Sequence, residues 1–343
     1  MKSALSSYPA QVVELEKLDY RIPVWESGEL QERPCPLCDS EDRLPQFRRP
    51  DQLVVHRCRR CDLHYVSPAP SESHLNRFYS EYWVKHKGGG EFPSNRKVAD
   101  AISREYETQV PFVELESFID FRGKNILDVG FGSGMFLYTA KKKGANVFGV
   151  DYDADAVDCA RHVLELSDVV QGDIFHYSVE SPMRYDLIVM NDFFEHPLEI
   201  GSVLRHAMEL VAPEGFLAVL TPNGTTFSRD DSPVGLRVDL EHMQYLTRGT
   251  LHFLLRQYPG WEIAHYEEVG FPYLATREKP LSRVKQTVIT LLKLMIPPFL
   301  LRIVRDGILA HGRRERSGSY HLFAVLRKPA LLAEPEFALD GMG

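Results

Sequence analysis

The run Leu127-Asp128-Val129-Gly130-Phe131-Gly132-Ser133-Gly134 restricts this chain more than any other stretch. Three glycines at alternating positions follow a short apolar segment, where a strand is expected to turn into a helix. Glycine reaches backbone conformations closed to other residues, so the spacing suits a tight turn that a ligand can approach closely. A dinucleotide fingerprint of the G-x-G-x-x-G form does not fit, because Met135 and Leu137 stand where its third glycine would fall. Asp128 points the same way. A phosphate gains nothing from a neighbouring carboxylate, whereas a ligand bearing an ammonium and a sulfonium does.

The residues that follow extend this reading. Val147-Phe148-Gly149-Val150-Asp151 reads as a second apolar strand, ending in an acid 17 residues beyond Gly134. An acid at such a strand end suits two ribose hydroxyls. Asp173, in Asp168-Val169-Val170-Gln171-Gly172-Asp173-Ile174, stands where a carboxylate accepts from an adenine amino group, with Tyr152 and Ile174 as neighbours for the ring. In this order the residues resemble those of class I S-adenosylmethionine-dependent methyltransferases, over roughly residues 95–272 and 319–329. The resemblance implies a doubly wound, Rossmann-like α/β fold with S-adenosylmethionine as cofactor. It implies a pocket made by Asp128, Gly130, Gly132, Gly134, Asp151, Tyr152, Asp173, Ile174 and Asn191. The competing reading is a doubly wound domain for another adenosine ligand.

Seven strands are expected, at residues 125–130, 147–151, 168–171, 186–192, 215–222, 261–269 and 320–326. Helices between them imply a mainly parallel sheet covered on both faces. A helical pattern from 96 to about 121 leads into the first strand. The domain reading is an N-terminal segment at 1–30, a cysteine-rich module at 31–87, a linker at 88–94 around Gly88-Gly89-Gly90, the main domain at 95–329 and a tail at 330–343. Residues 273–330 carry 12 Lys and Arg against three acids, while the whole chain carries −8. This basic stretch suggests a helical cap inserted at 273–318, either a solvated face or a surface for an anionic substrate or a membrane. With 26% charged residues, no apolar stretch long enough to span a membrane and no secretory signal, a cytoplasmic location is expected.

Four of the five cysteines form Cys35-Pro36-Leu37-Cys38 and Cys58-Arg59-Arg60-Cys61, a C-x2-C-x19-C-x2-C pattern. Matched pairs at this spacing suit a structural zinc site, a small zinc ribbon; two disulfides or a redox pair are the alternative. Such knuckles often need a left-handed residue after the second cysteine, and Asp39 and Asp62, among the few side chains tolerating that conformation, stand there. Cys159 is read as core filling.

Two strand ends carry acid–base chemistry: Asn191-Asp192-Phe193-Phe194-Glu195-His196, and Asp239-Leu240-Glu241-His242-Met243-Gln244-Tyr245-Leu246-Thr247. Histidine titrates near neutrality and is a natural base. The first pair resembles one in ubiquinone-pathway methyltransferases, where it lines the methionine side. The second resembles the active-site segment of deoxysugar C-methyltransferases, which also carry a zinc domain whose tyrosines reach the substrate; Tyr79 and Tyr82 are the possible equivalents. The ribbon itself is closer to that of bacterial polysaccharide-cluster methyltransferases. Candidate catalytic residues are therefore His242, with Glu241 beside it, and His196. The leading function is methyl transfer to a small polar acceptor, a sugar or nucleotide-sugar. The alternatives are an RNA base methyltransferase and a non-enzymatic zinc-ribbon adaptor. Seven Arg against six acids in residues 31–70 make a poor phosphate-binding face, so nucleic acid is not the expected partner.

Overall fold

The computed structural model describes residues 25, 27–49, 51–80, 92–107, 109, 112–228, 240–269 and 321–330. The basic stretch at 273–318 lies outside these residues, as do Tyr82, the glycines at 88–90, most of the N-terminal segment and residues 331–343. In chain order, Leu30–Gln31 (β1), Arg43–Arg48 (β2), Val54–Cys58 (β3), His64–Val66 (β4) and Ala69–Pro70 (β5) precede the helix Glu72–Ser80 (α1). Arg96–Tyr106 (α2) and Phe112–Phe118 (α3) lead into Asn125–Val129 (β6), Met135–Lys142 (α4), Asn146–Asp151 (β7), Ala154–His162 (α5) and Val169–Gln171 (β8). Tyr185–Asn191 (β9), Ile200–Leu210 (α6), Val211–Pro222 (β10), Gln244–Tyr245 (β11), Arg248–Gln257 (α7), Glu262–Val269 (β12) and His321–Arg327 (β13) complete the order.

Among the described residues, seven strands form the large sheet in the order β12-β13-β10-β9-β6-β7-β8. The pairs from β10 through β8 are parallel, whereas β13 runs antiparallel to both β10 and β12. Central strands read as unbroken apolar runs because helices cover both faces: Leu187, Ile188, Val189 and Met190 of β9 are all fully buried. Alternate residues feed two separate cores, Ile188 and Met190 on one face and Leu187 and Val189 on the other.

Two expectations change. The helical pattern from 96 to 121 is two helices, α2 and α3. Pro111, just ahead of α3, has no amide to donate and disfavours a helical residue before it, which a reading of apolar periodicity overlooks. The strand expected at 215–222 begins earlier, at Val211, with an irregularity between Val211 and Phe216 where Glu214 takes a φ of 60°.

A second sheet, of order β11-β4-β3-β2, completes the cysteine-rich module with a strand from the other half of the chain. Gln244 pairs with Tyr65, and Tyr245 with His64. The contact is close elsewhere too. The Gly201 amide donates to the Pro36 carbonyl at 3.0 Å, and a Cβ at Gly201 would lie 2.7 Å from that oxygen and 3.2 Å from the Leu37 Cα. Thr247, which caps α7, donates to Asp62 Oδ2 at 2.8 Å, and a Cβ at Gly249 would reach that oxygen at 2.3 Å. Cys35, Cys58, Cys61, Leu63 and Tyr65 share one buried core with Phe194, Ile200, Leu246 and Leu251. Gly201→Ala, which meets main chain rather than a flexible side chain, is therefore expected to destabilise the protein by about 1–3 kcal/mol in urea unfolding; an unchanged midpoint would contradict the packing of α6 on the Pro36–Leu37 turn.

Candidate cofactor and acceptor site

The turn after β6 takes left-handed conformations at Gly130, Gly132 and Gly134, with φ of 72°, 52° and 70°. At Gly130 closeness adds to conformation, since a Cβ there would stand 2.5 Å from the Phe193 ring. The Gly132 amide is not free for an anion. It donates to Asp151 Oδ2 at 2.7 Å, and the Asp153 amide donates to Oδ1 at 2.9 Å. Asp128 stands opposite Val189 in the sheet, two residues before Asn191 on the same face of β9. Asp128 Oδ1 and Asn191 Oδ1 are buried acceptors without a hydrogen-bond partner. Leaving such acceptors unpaired is costly, so the acceptor pair fits a ligand that brings N–H donors, as the ammonium of S-adenosylmethionine does. Burial holds the Asp128 carboxyl well above the usual carboxylate range, and the nearby Asp151 charge adds to this. Burial also lifts Asp151 to about 6, against the pull of its amide donors.

Along the rim, Asp173 accepts from the Phe175 amide at 2.9 Å and faces the half-exposed Tyr152 hydroxyl at 3.4 Å. Ile174 is buried in the core, so it offers a floor rather than an open face. A second exposed aromatic side chain beside Asp173 is Phe175.

The two Glu-His pairs meet. Ligand atoms of Glu195, His196 and His242 all lie within 4.8 Å of one another. Glu195 is fully buried; Thr221 donates to its Oε2 at 2.8 Å, and its Oε1 lies 3.8 Å from His242 Nε2. The His196 and His242 rings stand edge to face with centroids 4.9 Å apart. Main chain ties the loops together, because the Met243 amide donates to the Glu195 carbonyl at 2.8 Å. The Gln244 amide group donates to the Phe194 and Pro197 carbonyls, both at 2.7 Å. Tyr79, on α1 of the cysteine-rich module, places its hydroxyl 2.6 Å from His196 Nδ1 and 3.3 Å from the Glu241 carbonyl. Burial raises the Tyr79 phenol well above its ordinary range, and the Glu241 and Glu195 charges add to it, so it stays protonated. The carboxylate facing His242 is thus Glu195, not the adjacent Glu241.

The four cysteines of the paired motifs also converge, with Cys35 and Cys61 sulfurs 3.4 Å apart and Cys38 and Cys58 sulfurs 3.5 Å apart. The two knuckles repeat one hydrogen-bond pattern: Asp39 N to Cys35 O and Asp62 N to Cys58 O, closed by Cys35 N to Ser40 O and Cys58 N to Leu63 O. Asp39 and Asp62 take φ of 58° and 66°, the left-handed conformation expected of them. A tetrahedral Zn–S₄ centre has S···S edges of about 3.8 Å, so the donor set suits such an ion. Cys159 lies on α5, half-buried and apart from this cluster.

The unpartnered Asp128 carboxylate yields a stability test. Its folded-state pKa is raised, so its protonated form is the favoured one. The stability contribution is full below the unfolded carboxyl pKa and is lost as pH rises through the folded value. Asp128→Asn removes that burden and is expected to stabilise the ligand-free protein by about 1–3 kcal/mol at pH 8, and by less near pH 4. Thermal melts of both proteins across that range check it; a variant less stable at pH 8 would contradict the reading of Asp128.

A family model described as a methyltransferase domain matches residues 98–266. The ubiquinone biosynthesis O-methyltransferase of Klebsiella pneumoniae subsp. pneumoniae is 33% identical over 108 residues, which is 30% of this chain and 45% of that protein. The enzyme of the same name from Aliivibrio fischeri is 29% identical over 144 residues, 37% of this chain and 62% of that protein. The chain spans about half the length of the curated relatives it matches. Among solved structures, an S-adenosylmethionine-dependent methyltransferase from Archaeoglobus fulgidus aligns at 19% identity and a TM-score of 0.42, covering 71% of this chain and 98% of that one. Among the described residues no helix is long and apolar enough to cross a membrane. With its glycine turn and its strand-end acids, the stretch from 98 to 266 thus matches the model of a methyltransferase domain.

Proposed function

We propose that this chain transfers a methyl group to a hydroxyl of a small polar acceptor, a sugar or nucleotide-sugar, with His242 as the proton acceptor. The convergence of Glu195, His196, His242 and Tyr79 beside the ends of β9 and β10 carries this reading. The relatives' names, which speak of O-methyl transfer, favour oxygen as the accepting atom. When bound, S-adenosylmethionine supplies an electrophilic methyl group on a sulfur that leaves without protonation. The work of the chain is then alignment and proton removal.

In this reading Asp128 and Asn191 hold the amino-acid end, Gly130, Gly132 and Gly134 shape the turn around it, and Asp151 binds the ribose. Asp173, Tyr152 and Ile174 frame the adenine. His242 takes the acceptor proton on its imidazole, and the Glu195 carboxylate 3.8 Å away stabilises the imidazolium that results. Glu241 supplies a second carboxylate for an acceptor hydroxyl. His196, tied to Tyr79, shapes the adjoining wall. By its charge alone, the basic stretch at 273–318 suits an anionic substrate.

Cys35, Cys38, Cys58 and Cys61 are assigned to one structural zinc ion in a zinc-ribbon module at 31–87, attached to the methyltransferase domain at 95–329. Four thiolates make a closed site with no position left for substrate. Because these cysteines share a core with α6 and α7, Cys58→Ser is expected to lose the metal by elemental analysis and to lower the melting temperature by roughly 10 °C or more. Full stability without metal would contradict the assignment.

Turnover separates the two histidines. With an acceptor found by screening sugars and nucleotide-sugars with labelled cofactor, His242→Ala is expected to lower the rate by about 10²–10⁴ at saturating cofactor, leaving S-adenosylhomocysteine affinity nearly unchanged. His196→Ala is expected to act mainly on cofactor affinity or stability. A fully active His242→Ala protein beside an inactive His196→Ala one reverses the assignment.

A further inference from the structure

We infer that Arg49, held by Asp51, is the positioning residue that sets the Glu241–His242 segment against Glu195 and His196. The inference rests on the reading of His242 as the proton acceptor, and goes beyond it by assigning what aims that histidine. Arg49 follows the last residue of β2 and is 2% exposed; its ion-pair partner Asp51 is 3% exposed. The guanidinium donates to Asp51 and to the main-chain carbonyls of Leu240 and His242. It also reaches the Tyr245 hydroxyl at 3.3 Å. The clamp therefore grips the residues on either side of Glu241. A guanidinium is the side chain suited to this, because its donors form a rigid fork.

The base of the clamp is fixed in turn. The Arg49 amide donates to the Leu53 carbonyl at 2.8 Å, across the hairpin that joins β2 and β3. Asp51 accepts from the Trp25 indole at 2.9 Å and from the Leu53 amide at 3.3 Å. A second arginine works beside it: Arg33 donates to the carbonyls of Met243 at 2.8 Å, Leu198 at 3.0 Å and Val66 at 2.9 Å. Carbonyls at 240, 242 and 243 are thus held by two guanidinium groups of the cysteine-rich module. Burying a guanidinium carries a large desolvation cost, and an apolar residue often serves packing as well or better. A buried arginine spent on main-chain carbonyls beside a candidate base is explained by geometry rather than by stability.

The test uses the full chain labelled with ¹³Cε1-histidine and saturated with S-adenosylhomocysteine. His242→Asn identifies the His242 signal, which the neighbouring rings of His196 and Tyr245 displace in the parent protein. The double variant Arg49→Met/Asp51→Asn removes both buried charges, so neither is left alone. Arg49→Lys keeps the charge but replaces the fork by a point donor. Both variants are expected to bind S-adenosylhomocysteine within about threefold of the parent and to leave the His176 and His206 signals in place, since these sites are independent. The His242 signal is expected to move toward its unstructured position, furthest in the double variant and partway in Arg49→Lys. A His242 signal unmoved in a folded variant overturns the proposal, and if the double variant does not fold, Arg49→Lys alone decides. An active His242→Asn protein combined with a moved signal would refute the base assignment and leave the positioning role standing, so the two can fail separately.

Discussion

The backbone bonds between Gln244–Tyr245 and His64–Tyr65 join two parts of the chain that are far apart in sequence. Without that pairing the Glu241–His242 segment would be a surface loop, and the cysteine-rich module would end on an unpaired edge. With it, one short strand closes the small sheet and hands its preceding residues to the large domain. Thr247 continues the connection by capping α7 while donating to Asp62, the residue that closes the second cysteine knuckle. The cluster of titratable side chains is thus built jointly, with Tyr79 contributed by one part and Glu195, His196 and His242 by the other.

The side of the glycine turn follows a different logic, in which stability is given up locally. Asp128 and Asn191 present buried acceptor oxygens with no partner, and burial lifts the Asp151 carboxyl above its ordinary range. Each of these raises the energy of the ligand-free fold. They lie at the carboxyl ends of parallel strands, where helices on both faces leave a crevice that a ligand fills. The glycine turn completes the crevice, and the engagement of its Gly132 amide by Asp151 separates this site from one made for pyrophosphate.

Most of the large sheet was legible because parallel strands buried on both faces are continuous apolar runs, and turn glycines mark where they end. The left-handed Asp39 and Asp62 were legible for a similar reason: few residue types tolerate that conformation, so their place after a C-x2-C pair is informative. What escaped is what depends on distance in sequence. A two-residue strand such as Gln244–Tyr245 has no period to detect. The meeting of Glu195 with His242 comes from the fold of two loops, and Phe193 over Gly130 comes from the register of β6 and β9. The break between α2 and α3 was readable from Pro111, and periodicity alone concealed it. The basic cap at 273–318 lies outside the described residues.

The shared small sheet also bears on the order in which the protein is made. Tyr65 leaves the ribosome well before Gln244, its partner in the sheet. At about 5–20 residues per second, roughly 10–40 s pass between them. At the start of that interval the four thiols are already synthesised, whereas the strand that will cover β4 and Gly249, which packs on Asp62, come only at its end. The nascent module must therefore hold its knuckles together by their own turn hydrogen bonds, and its final edge is sealed only after most of the large sheet has emerged.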